Sequence, residues 1–272
     1  MIDVRNVTKT YTLSSDQKKE MGPGFTGDTL DAVSDISFTC EPGRVYGLLG
    51  PNGAGKTTTL RVIATMLAPT SGTVTVDGLD VTDDSQAICE RLGFLTGSTG
   101  LYDRLTANEL VRYYADLHGV SRSDFQTRRD ALFDLLDMHE FADRRIGGFS
   151  TGMRQKVSIA RTMIHDPNIV VFDEATAGLD VIAARSIMRL VRKSRDQGKT
   201  VLFSTHRMDE VNMLADDLGL LHEGELLFDG TYDRFVDEMQ SDTLEDEFIR
   251  RIEQADASTS QADEPVRPIS TA

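Results

Sequence analysis

The stretch Gly50-Pro51-Asn52-Gly53-Ala54-Gly55-Lys56-Thr57-Thr58 limits what this chain can fold into more than any other part of it. It fits the pattern GxxxxGK[ST], and its flanks agree. Val45-Tyr46-Gly47-Leu48-Leu49 is an unbroken apolar run that predicts a strand covered on both faces, and Lys56 to Met66 predicts a helix. A strand, a glycine turn and a helix in that order bring consecutive backbone N–H groups and the positive end of a helix to one place, which suits phosphate oxygens. The glycines permit the inward-facing backbone, Lys56 reaches the terminal phosphates, and Thr57 offers a hydroxyl to magnesium. A plain glycine turn would need neither the lysine nor the threonine. All of Gly50 to Thr58 is therefore assigned to binding a nucleoside triphosphate.

Ile169-Val170-Val171-Phe172 predicts a second buried strand, and Asp173-Glu174 puts two carboxylates at its carboxyl end, where parallel α/β sheets bind ligands. An apolar strand ending in acids is also common as plain structure. Beside a phosphate loop, Asp173 is expected to hold magnesium and Glu174 to polarise the water that attacks the γ-phosphate. The formal charge of −15, from 44 acidic and 29 basic residues, argues against a sequence-independent grip on nucleic acid or on an anionic membrane surface. Cys40 and Cys89 form neither a disulfide framework nor a metal pattern, and read as buried structural thiols in a reducing cytosol. No run of about 18 apolar residues occurs, and Met1-Ile2-Asp3-Val4-Arg5 lacks the basic and apolar regions of a secretion signal. The chain is expected to be neither secreted nor membrane-spanning by itself.

The rest of the chain reads as an α/β frame with two additions. β-prone stretches at Ile2 to Val7 and Ala32 to Phe38 bracket a polar segment, Ser14 to Asp28, expected to be a surface loop, and Thr73 to Asp77 alternates up to an Asp-Gly turn. These predict an antiparallel β subdomain. Between Thr106 and Asp137 the apolar residues fall at helical spacing, with a capping box at Thr106-Ala107-Asn108-Glu109 and Gly119 set to end the first helix. The frame resumes at Ile169, continues through a helix from Ala183 to Arg195 and a strand from Thr200 to Ser204, and ends in a hairpin at Glu223-Gly224. From residue 254 to 272 the composition offers too little apolar surface to offset ordering entropy, which predicts a disordered acidic tail after a domain spanning 1–253.

With Phe149-Ser150-Thr151-Gly152-Met153-Arg154-Gln155 the chain, from Ile2 to about Arg251, resembles the ATP-binding subunits of ABC transporters. That segment is similar to the family's signature, a Leu-Ser-Gly-Gly-Gln-like stretch opening a helix, and the resemblance makes the helical region, about 97–165, the subdomain that carries it. Ser150 can cap that helix, so its hydroxyl and the N–H groups near Gly152 form a second anion site. In the family each ATP is sandwiched between the phosphate loop of one subunit and the signature of the other. The resemblance thus implies ATP hydrolysis with magnesium, a head-to-tail homodimer, an integral membrane permease as partner, and a peripheral location on the inner face of the cell membrane. It also makes Tyr11 the aromatic that stacks on adenine, Ala177-Gly178-Leu179-Asp180 the loop that meets the opposite subunit, His206 the histidine that senses the γ-phosphate, and Thr243 to Phe248 a short C-terminal helix. An aromatic at Tyr11 could equally be filler. Thr151 stands where the family has a second glycine. Gly97 stands where the family has a glutamine that binds magnesium and levers the membrane partner. That variant resembles the sodium-extruding, NatA-like exporters, which implies sodium efflux. Multidrug or lipid/polysaccharide export of the ABC-2 type is the alternative. Chromosome-maintenance ATPases would need a long coiled coil, ABC-type translation factors two cores on one chain, and a P-loop kinase no signature.

Overall fold

Four strands pair in one antiparallel sheet and six in a second, and the phosphate-loop stretch follows an interior strand of the second. The computed structural model describes residues 1–20, 27–96 and 100–262. The chain begins with β1 (Ile2–Thr12), α1 (Ser15–Glu20), β2 (Thr29–Cys40), β3 (Val45–Leu49), α2 (Lys56–Ile63), β4 (Ser71–Val76), β5 (Leu79–Asp80) and α3 (Ser85–Cys89). β6 (Leu92–Thr96) leads to α4 (Ala107–Leu117), α5 (Arg122–Leu136) and α6 (Thr151–Met163). Then come β7 (Ile169–Asp173), α7 (Val181–Asp196), β8 (Thr200–Thr205), α8 (Met208–Leu214), β9 (Asp217–His222), β10 (Glu225–Thr231), α9 (Tyr232–Asp237) and α10 (Leu244–Ala262).

The larger sheet runs β10-β9-β3-β8-β7-β6, parallel except for β10. It separates two cores, which is why its strands are apolar without alternation. Val45, Leu49, Val170, Phe172, Val201 and Phe203 pack with the helices of one face. Tyr46, Leu48, Ile169, Val171 and Leu202 pack on the other with α2 and the smaller sheet, order β2-β1-β4-β5. The register sets Leu49 opposite Thr205 and Asp173 opposite Ser204, so three strand ends come level at one edge. Two tight turns follow the sequence expectation: Asp77-Gly78 and Glu223-Gly224 each have two successive positive φ angles, as a two-residue hairpin requires.

The helical region is built on α4 to α6. Thr106 accepts from Glu109 N at 3.1 Å while the Glu109 carboxylate accepts from Thr106 N at 2.9 Å, the reciprocal cap read from the sequence. Leu110, Val111 and Ala115 then face Val157, Ile159 and Ala160 of α6 in the first core.

Three expectations change. The helix after the phosphate loop stops at Ile63, short of Met66, where Thr65 turns left-handed with φ of 60°. The polar segment expected as a loop contains α1, and Gly22-Pro23-Gly24 lies outside the described residues. The tail expected to be disordered from 254 is instead helical as far as Ala262, in a helix, α10, that is held at Glu247, Phe248 and Asp256. Phe248 packs on the first core, and the fully buried Glu247 bonds Arg250, Arg251 and Gln240 N. The Arg250 guanidinium, helped by Arg251, holds the Glu247 carboxyl at about 2. Asp256 then accepts from His222 Nε2 at 2.7 Å, beyond the point where composition alone predicts loss of order. Residues 263–272 lie outside the described part.

Candidate active site

The phosphate loop owes its shape to two glycines that nothing larger can replace. A Cβ on Gly50 would stand 2.2 Å from the Leu221 carbonyl, and one on Gly55 would stand 2.3 Å from the Ala32 carbonyl at a φ of 103°. Both sheets thus press on the loop. Gly50 N donates to the Thr205 carbonyl at 3.3 Å, and the Ala54 carbonyl accepts from Gly224 N at 3.0 Å. Asn52 and Gly53 are exposed at its crest, with Pro51 partly buried beside them. Lys56 is 4% exposed, and its ammonium donates to the carbonyls of Gly50 at 2.8 Å and Pro51 at 3.0 Å. The cation is thereby held under the loop at the first turn of α2, where the helix dipole adds to its field.

The acidic end of β7 meets this turn. Asp173, 6% exposed, accepts from Thr57 Oγ1 at 3.1 Å and from Ser204 Oγ at 2.8 Å. Hard oxygen donors suit magnesium, and neighbouring ligands on an octahedral ion stand about 3 Å apart. The Thr57 and Asp173 oxygens already have that spacing, so the pair fits the ion. Glu174 takes a left-handed φ of 47°, a conformation that costs a non-glycine residue about 1–3 kcal/mol and persists only when its surroundings hold it. Ser204 does so: its Oγ accepts from Glu174 N at 3.1 Å. The twist leaves the Glu174 carboxylate 29% exposed, 3.3 Å from Lys56 Nζ and 3.4 Å from His206 Nδ1. A carboxylate open to water, a buried cation and a histidine thus share one site.

Tyr11 lies at the rim, its hydroxyl 3.5 Å from Thr58 Oγ1. Ser150 and Gly152 are elsewhere. Ser150 caps α6 by accepting from Met153 N at 3.3 Å, a Cβ on Gly152 would stand 3.9 Å from an Asp180 oxygen, and Thr151 is exposed. Asp180 caps α7 through Ile182 N and Ala183 N. Among the described residues no hydrogen bond or ion pair joins Ser150 or Gly152 to the phosphate loop. Gly97 lies outside the described residues. Sequence reasoning passed over Ser204, which bridges both acids, and it placed Gln155 in the signature without its partner: the Gln155 amide donates to the Ala175 carbonyl at 2.9 Å and ties the signature helix to the loop after Glu174. The signal for Ser204 was its place one strand across from Asp173, which only the register reveals.

An α/β sheet with a glycine phosphate loop, a buried lysine and an acid pair level with it defines a P-loop nucleotide hydrolase. A family model described as "ABC transporter" matches residues 33–177, more than half the chain. The ABC transporter ATP-binding protein NatA of Bacillus subtilis (strain 168) is 43% identical over 224 residues, covering 82% of this chain and 91% of that protein. The linearmycin resistance ATP-binding protein LnrL of the same organism is 31% identical over 78% of this chain and 68% of its own length. A dimeric ATP-binding cassette solved in a post-hydrolysis state with ADP and Pi superposes with a TM-score of 0.72 at 25% identity, covering 85% of this chain and 98% of that one. The chain belongs to the ABC transporter family and is one of its ATP-hydrolysing, ATP-binding subunits. Among the described residues no helix is long and apolar enough to cross a membrane.

Proposed function

We propose that two copies of this chain pair head to tail, each ATP lying between the phosphate loop of one and the Ser150–Gly152 segment of the other, and drive export through a separate membrane permease from the inner face of the membrane. One observation carries this: a single chain holds two phosphate-suited helix ends that do not meet. Lys56, Thr57, Asp173, Glu174 and His206 cluster, while Ser150 caps α6 beside Asp180. A second copy supplies the other half. Tyr11 stacks on adenine, Gly50 to Thr58 enclose the phosphates, and Thr57 with Asp173 holds magnesium. Magnesium, when bound, supplies positive charge to the terminal phosphate oxygens. Glu174 accepts a hydrogen bond from the attacking water, and His206, held against Glu174, contacts the γ-phosphate.

Tyr102 and Tyr113, both exposed and edge-on with centroids 6.3 Å apart, form an aromatic patch for the permease. Asp103, next to Tyr102, bonds Arg154 of α6 at 2.8 Å, so a push on the patch reaches the signature helix directly. Sodium is the proposed cargo, supported by the 43% identity to NatA. Export of an antibiotic, other drug or lipid is the second reading, supported by the linearmycin-resistance relative.

Glu174→Gln tests the sandwich. With ATP the variant elutes as a dimer and hydrolyses at least about 100-fold more slowly, the usual contribution of a general base. A variant that stays monomeric with ATP bound, or turns over normally, removes the proposal.

A further inference from the structure

Glu210 is a buried acid for which the site as described has no use. It sits in the first turn of α8 and is 3% exposed, a depth at which a carboxylate persists only with its oxygens hydrogen-bonded. Thr176 Oγ1 donates to Oε1, Thr205 Oγ1 donates to Oε2 at 2.7 Å, and Arg207 Nε lies 3.5 Å from Oε1. A cavity of about 20 Å³ beside it is walled mainly by Phe172, Ile187, Val191 and Leu214, with Thr176 and Ser204 as its other polar groups.

The hydroxyl partners belong to two segments that flank the reacting groups. Thr176 is two residues past Glu174, in a turn closed by Ala177 N on the Glu174 carbonyl at 3.0 Å and by Leu179 N on the Thr176 carbonyl at 3.2 Å. Thr205 ends β8 immediately before His206. Its carbonyl accepts from Gly50 N at 3.3 Å, and its hydroxyl accepts from Arg207 N at 3.0 Å. One rigid carboxylate therefore clamps the loop that starts at the base to the strand end that carries the histidine and anchors the phosphate loop.

We propose that Glu210 is a positioning residue for hydrolysis: its two oxygens fix the spacing of Glu174 and His206 and make the loop from Glu174 to Asp180 move as one piece with the end of β8. This rests on the roles proposed for Glu174 and His206. A buried acid kept only for packing would be replaceable by an apolar side chain of similar length. A clamp would not. The nearest apolar replacement, Glu210→Met, frees both hydroxyls. It is expected to lower kcat about ten- to a hundredfold, as small misplacements of reacting groups do, with KM for ATP within about threefold. Glu210→Gln, which can still bond both threonines, is expected to recover most of the loss.

The test is a double-mutant cycle in ATPase assays on the full chain, with His206→Ala as the second change. If Glu210 acts through His206, adding Glu210→Met to His206→Ala lowers kcat by less than about twofold further. Losses that multiply, or a Glu210→Met enzyme with unchanged kcat, overturn the proposal. Should Glu210→Met not fold, Thr176→Val removes one arm of the clamp and is read by the same cycle, with a smaller loss and the same non-additivity expected. A His206→Ala enzyme with normal kcat would instead overturn the roles assigned to the site, and this inference with them.

Discussion

Lys56 does two things that a substitution separates. Its ammonium closes the loop onto its own carbonyls of Gly50 and Pro51, and it is a buried cation held under the turn to which phosphate binding is assigned. Charge-assisted hydrogen bonds are roughly twice as strong as neutral ones, and each is worth about 1.5–3 kcal/mol. Lys56→Ala is therefore expected to weaken ATP binding by about a hundredfold or more, while α2 and the two cores, which the lysine does not fill, keep the fold. Titration with a fluorescent ATP analogue reads the affinity and circular dichroism reads the fold. Near-normal affinity would remove Gly50 to Thr58 from nucleotide binding. Ser204 shows why residue-scale reasoning needs the structure: a serine at a strand end carries no signal of its own, yet here it bonds both Asp173 and Glu174.

At the scale of elements, the joint between α4 and α6 is expected to be sensitive to pH. His118 follows α4, His165 follows α6, and their rings stack with centroids 3.9 Å apart. Burial, reinforced by the neighbouring His118, pushes the His165 imidazole down to about 4 from its ordinary 6.5. The fold therefore favours the neutral ring. The stability this contributes is complete above pH 6.5 and is lost as pH falls toward 4, amounting to at most about 3 kcal/mol. His165→Phe keeps the stack without the titration, so urea unfolding between pH 7 and about 4 is expected to be less steep in pH for the variant than for the parent. Equal slopes would show that the pair does not govern the joint. Elements with local signals were legible from sequence: the strand, loop and α2 from glycine and lysine spacing, α4 from its capping box, and the hairpins from Asp-Gly and Glu-Gly. α10 was legible only in its first turns. Its continuation past residue 253 is accompanied by Asp256 reaching His222, 34 residues away, and by Glu247 being buried between arginines. Composition cannot report either contact. Glu210 was hidden for the same reason, since its partners come from a loop and a strand brought together only by the parallel register.

The molecule as a whole is strongly acidic, has no helix among its described residues suited to crossing a membrane, and exposes Tyr102 and Tyr113 on one patch of the helical region. A polyanionic surface is repelled by anionic lipid, which disfavours direct attachment to the bilayer and suits the proposed contact through a protein partner. The patch is suited to that contact because two aromatic side chains supply apolar area at little entropic cost, and aromatics are enriched at the centres of interfaces. Native purification is expected to recover a polytopic membrane protein with this chain. Tyr102→Ala, assayed as the free subunit and in vesicles holding that complex, should leave hydrolysis by the free subunit unchanged, because the ring stands edge-on to Tyr113 and, among the described residues, meets no group of the nucleotide site. Its effect should appear only as weaker stimulation of hydrolysis by the permease, by about tenfold if the ring is a central anchor. Equal stimulation of parent and variant would move the contact away from the patch. The same vesicles separate the cargoes. ATP-driven movement of sodium supports the proposal drawn from NatA, whereas movement of an antibiotic or a lipid without sodium refutes it and leaves the motor, the head-to-tail site and the aromatic contact as they are.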